Sequence, residues 1–206
     1  MWQLKLKNTQ KQIDEFSDFV WSFLSTNFIH LKTRRPPLYL FLSKESKGSL
    51  SQRTENEKKF IHEIQFGRGG AVLHRRPLLG YVSHWTQVPE ETAHLYSLSL
   101  QKTSLDDLED SRSMHNIAVL HESFGTFVQS LMLPKSAPKQ QKTNDPLWDS
   151  IHQKGLGFGQ KLARAFFDQQ IKSTEIKKLL KFQWHRDLKT SQVALEYLRA
   201  LTRQSQ

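Results

Sequence analysis

The chain has no cysteine. That absence removes disulfide frameworks, thiolate metal sites and cysteine nucleophiles. Glycine (9) and proline (7) are sparse in 206 residues, so the chain is neither collagen-like nor a proline- and glycine-rich low-complexity polymer. No stretch approaches the ~18 uncharged apolar residues that cross a bilayer as a helix. Several local signatures are also missing: HExxH, the GxSxG nucleophile elbow, the Walker A loop and the GxGxxG dinucleotide fingerprint. Without them no zincin helix, hydrolase triad or phosphate loop can be assigned. The expectation is a non-catalytic protein with no cofactor and no metal.

What is present is a foldable apolar content and a surplus of positive charge. Leu, Ile, Val and Phe make up 56 residues, above the level of an intrinsically disordered chain. Lys and Arg number 30 against 20 Asp and Glu, a net charge of +10. Such a balance favours polyanionic partners, nucleic acid before an acidic membrane. The first sixteen residues, MWQLKLKNTQKQIDEF, carry early acids and no apolar stretch like that of a secretory signal. A cytoplasmic location and no membrane partner are expected.

The charge is uneven. Residues 1–133 carry 16 basic and 14 acidic side chains; residues 134–206 carry 14 and 6. The change falls at PKSAPKQQKTNDP, residues 134–146, which has three prolines, three lysines and no large apolar residue. This composition reads as a linker. The expected organisation is an N-terminal platform over 1–133, the linker over 134–146 and a basic helical part over 147–206.

Leucine outnumbers valine and isoleucine combined, which favours helix over sheet. Ile13, Phe16, Val20, Phe23, Leu24, Phe28 and Leu31 follow helical spacing, with Thr9 placed to cap the start. Leu38–Leu42 reads as a short buried strand. Residues 71–74 and 81–85 read as paired strands around Arg75-Arg76-Pro77. Pro89-Glu90-Glu91 opens a helix, its acids complementing the helix dipole. Ser104-Leu105-Asp106-Asp107 resembles a capping box, and Asp106, Asp107, Glu109 and Asp110 are then a solvated helix start. Further helices follow from Ile117 to Leu131 and in the C-terminal part. The fold class expected is mainly α with a small antiparallel β element around 38–85, an α+β chain with a helical C-terminal part.

The nine histidines show no metal-ligand spacing. His115 and His121 are six apart, about 240° round a helix, and so on different faces. They are expected to be surface or hydrogen-bonded groups.

Gly155-Leu156-Gly157-Phe158-Gly159 reads as a flexible turn into a helix starting near Gln160, whose free amides attract phosphate. Lys154, Lys161 and Arg164 flank it. Beyond it, Lys177, Lys178, Lys181, Trp184, Arg186, Lys189, Arg199 and Arg203 interleave cations with aromatics. Cations contact phosphates and aromatics stack on bases. Helices at 174–182 and 190–203 suggest a helix-turn-helix, although no glycine marks the turn.

The expected function is therefore nucleic-acid binding, to DNA or RNA, through Lys154, Gly155, Gly157, Gly159, Lys161, Arg164 and the eight residues just named. The alternative is an adaptor or subunit of a larger nucleic-acid-containing assembly, with a protein partner on the N-terminal part. A second alternative is a metal-dependent nuclease. Glu57-Lys58-Lys59 and Glu63-Ile64-Gln65 echo its strand motif, but the upstream aspartates Asp14 and Asp18 both fall in the first helix.

Overall fold

A computed structural model describes residues 9–41, 51, 54–55, 70–73, 78–100, 111–135, 146–182 and 188–203. Helix α1 (Gln10–Asn27) is capped by Thr9, whose side chain accepts from the Gln12 amide. Its apolar stripe, Ile13, Val20, Trp21 and Leu24, faces the core. Three short strands follow: β1 (Leu38–Leu40), β2 (Gly70–Leu73) and β3 (Leu79–Val82). A 3₁₀ turn at Trp85–Gln87 leads into α2 (Val88–Ser99). Then come α3 (Ser111–Met132), α4 (Pro146–Phe167), α5 (Ser173–Phe182) and α6 (Leu188–Arg203).

The sheet corrects the fold-class expectation. Its order is β1-β3-β2, and β1 runs parallel to β3, with Tyr39 opposite Tyr81. A purely antiparallel element is therefore excluded. The sequence shows strands but not the chain path between them, and β1 reaches β3 by a crossover that leaves the hairpin strand β2 on the far side. The outer edge of β1 is shielded from further pairing by Gln10, which donates to the Leu38 carbonyl and accepts from the Leu40 amide, both at 2.8 Å.

Cross-helix contacts fix the directions of the bundle. Ser17 meets Thr92 and Trp21 meets Tyr96, so α1 and α2 are parallel. Thr86 meets Gln129 and Ser97 meets His121, so α2 and α3 are antiparallel. Gly155 lies on Glu122, Gly159 on Thr126 and Phe166 on Phe127, so α3 and α4 are parallel. Between Met132 and Pro146 the chain returns to the other end of the bundle, an arrangement with long crossovers. One apolar core runs without a break from Ile13 to Leu201 and joins the helices on both sides of residues 134–146. Phe28 ties α1 into it through contacts with Phe124, Phe127 and Phe166.

The three glycines of 155–159 do not make a turn. They lie inside α4, which starts at Pro146 rather than near Gln160. Gly155 and Gly159 are buried and face α3, while Gly157 faces solvent. The i, i+4 spacing of two glycines is the spacing of a helix contact stripe as well as of a loop. Amides inside the helix are used by its own ladder, so the expected phosphate-binding helix start is not there.

The capping box with its acids 106–110, the Glu57 and Glu63 motifs and residues 136–145 of the expected linker lie outside the described residues.

Candidate metal centre

Helix α2 carries Pro89 at its start and places Glu90, Glu91 and His94 within its first two turns. Glu90 and His94 are four apart and so share a face. That face meets α3, where Glu122 points back. One donor atom each from Glu90, His94 and Glu122 lies within 4.8 Å of the others. His94 Nε2 is 3.9 Å from Glu122 Oε1. From α4, His152 Nε2 reaches to 3.8 Å from Glu122 Oε2. Glu122 thus sits between two imidazoles on two different helices.

These spacings suit a common cation. Donors around a tetrahedral ion at ~2.1 Å lie about 3.4 Å apart, within side-chain rotations of the arrangement here. The set is two carboxylates and one imidazole, with the His152 imidazole against Glu122, a choice that fits Zn²⁺, Mn²⁺ or Fe²⁺ better than thiolate-seeking Cu(I).

The electrostatics point the same way. Burial pushes the Glu90 carboxyl up to about 7. Burial, then repulsion from Glu90, pushes Glu122 up to about 8. Glu91 is held well above the usual carboxylate range by burial and by repulsion from both. Burial lowers His152 against an opposing effect of Asp149. Three carboxylates gathered in low dielectric are costly unless neutralised. Among the described residues no lysine or arginine pairs with them, and the ion-pair partners of Glu122 are the two histidines.

The centre is closed on one side and open on the other. His94 and Glu91 are buried, whereas Glu90, Glu122 and His152 keep partial access to solvent. At the open side Trp148 packs on His152, ring centres 5.7 Å apart, and is itself 44% exposed.

The residues expected to contact nucleic acid are spread over three helices. Lys154, Lys161 and Arg164 are exposed on α4, with Lys154 Nζ 3.3 Å from His115 Nε2. On α5, Lys177 is partly buried, Lys181 is exposed and Lys178 lies over the Tyr197 ring. Lys189, Arg199 and Arg203 are exposed on α6, while Trp184 and Arg186 lie outside the described residues. Asp14 and Asp18, the aspartates upstream of the nuclease-like motifs, both bind the half-buried Arg35, at 3.3 and 2.7 Å.

Comparison with protein-family models, with curated proteins and with solved structures finds no match to this chain.

Proposed function

We propose that the protein binds one divalent transition-metal ion through Glu90, His94 and Glu122, with His152 of α4 set against Glu122 beside it. The observation that carries this reading is the convergence of the three donors within 4.8 Å in a partly buried site. Three protein donors leave a fourth tetrahedral position for a water ligand, as catalytic centres require and structural ones do not. A divalent ion lowers the pKa of such a water toward neutrality. The chemistry this arrangement supports is metal-assisted hydrolysis or hydration. The metal-free full chain, titrated calorimetrically with Zn²⁺ and Mn²⁺, and with Fe²⁺ under anaerobic conditions, is expected to bind one equivalent of at least one ion. Replacing His94 by alanine is expected to weaken that binding at least a hundredfold. No saturable binding, or binding indifferent to His94, overturns the reading.

A second reading, nucleic-acid binding, is supported by the exposed cations on α4, α5 and α6 and by the net +8 of residues 134–206. Lys161 and Arg164, three apart on α4, share a face and suit one phosphate. Lys161→Ala with Arg164→Ala is expected to weaken binding by similar factors on unrelated DNA or RNA sequences. The salt dependence should flatten by up to about one unit of slope for each phosphate no longer neutralised. Unchanged affinity in the folded double variant, or a wild-type chain that binds neither polymer, removes this reading.

A further inference from the structure

Three residues of α3, at positions 121, 122 and 125, surround the imidazole of His94. His121 stacks on it, ring centres 4.1 Å apart and planes 24° from parallel. Glu122 faces its Nε2. At Gly125 a β-carbon would stand 2.6 Å from His94 Cε1 and 2.7 Å from Nε2, so the ring occupies the space that a side chain at 125 would fill. His121 is in turn fixed by α2, its Nδ1 3.0 Å from the Ser97 hydroxyl. That hydroxyl also lies 3.3 Å from the His94 carbonyl oxygen. When Ser97 donates to the carbonyl, it accepts from His121 Nδ1–H, which sets the tautomer of His121.

We infer that His121 and Gly125 are positioning residues that hold His94 in a slot on α3, one wall an imidazole and the other a bare backbone. The inference rests on the metal-binding reading above. An imidazole that can rotate about its side-chain bonds delivers its nitrogen to a metal only part of the time; one wedged between a flat ring and a glycine has that freedom removed before the ion arrives. Groups that orient a ligand typically change metal affinity by about 10–100-fold when removed.

The test uses Co²⁺ as the probe on the metal-free full chain, with affinity and the visible absorption bands as readouts and thermal unfolding as the control. His121→Ala is expected to weaken Co²⁺ binding about 10–100-fold and to shift the bands. His121→Phe keeps a flat ring against His94 and is expected to restore most of the affinity. Gly125→Ala is expected to weaken binding by a similar factor while the helix persists, since alanine is the better helix former. Wild-type affinity and bands in both His121→Ala and Gly125→Ala overturn the slot. Equal losses in His121→Ala and His121→Phe overturn the role of the stacked ring. A wild-type chain that binds neither Co²⁺ nor Zn²⁺ removes the metal reading itself, and the slot with it, a result distinct from the other two.

Discussion

Replacing Glu122 by glutamine is expected to abolish stoichiometric metal binding and, in the same molecule, to make the metal-free protein more stable at pH 8. The two effects share one cause. Glu122 is the residue on which both imidazoles converge, so a neutral amide removes the central anionic ligand. Without a metal, that same carboxylate is a liability. Its pKa is raised from near 4.5 to about 8 by burial and by Glu90. A raised carboxyl binds its proton more tightly in the folded state, so its contribution is complete below pH 4.5. It is lost as pH rises through about 8. Glu90 acts in the same direction up to about pH 7. The metal-free wild type is thus expected to lose stability between pH 5 and 8, by up to about 1.4 kcal/mol per pH unit for each proton retained. His152, lowered by burial, works in the opposite sense on the acid side of its ordinary range. Glutamine mimics the protonated acid, so the slope of unfolding free energy against pH should flatten in Glu122→Gln. Saturating metal should flatten it in the wild type, because a cation offsets the charge. Denaturant unfolding at pH 5, 6.5 and 8, with and without the ion, measures both. A metal-free Glu122→Gln variant less stable than wild type at pH 8 contradicts the electrostatic account.

Gly159→Ala is expected to destabilise the protein by about 1–3 kcal/mol through overpacking. Gly157→Ala, two residues away, should stabilise it by about 0.5–1 kcal/mol. A β-carbon at 159 would stand 2.6 Å from the Ser123 carbonyl oxygen of α3, a backbone atom that moves only if the helix moves. At 157 nothing lies within 4 Å of the added carbon, so only the helix-propensity gain remains. Urea midpoints that shift in opposite directions support the close approach of α3 and α4; a stabilised Gly159→Ala variant contradicts it. The spacing matters to the site as well. A β-carbon at Gly155 would collide with Glu122, so the distance between α3 and α4 that admits Gly155 also carries His152 to Glu122.

How much of the molecule is legible in its residues depends on the range of the interaction that decides each feature. The α1 stripe and its Thr9 cap are local, and the sequence displays both. The predominance of leucine is local too, and the chain is mostly helical. The parallel pairing of β1 with β3 is set by how the chain crosses from one strand to the other, which no short pattern encodes. The glycines at 155 and 159 carry the same symbols in a turn and in a helix contact; only the neighbouring helix distinguishes them. The candidate metal centre is masked for a related reason. Glu90 and Glu91 satisfy the rule for acids at a helix start, and that local role accounts for them without a ligand. The signal that could have found it is Glu90 and His94 at i, i+4, with His121-Glu122 on the next helix. Spacing between pairs of histidines passes over a site in which each helix contributes one imidazole at most.

The directions of the helices also divide the candidate centre into a sequence-local part and a long-range part. Glu90, His94 and Glu122 belong to α2 and α3, the consecutive pair that packs antiparallel and can meet as a local hairpin. His152 belongs to α4, which joins α3 in parallel only after the chain has returned along the bundle. Contacts close in sequence form early and long returns form late. The three donors are thus gathered by the α2–α3 pair alone, and the docking of α4 adds His152 against Glu122.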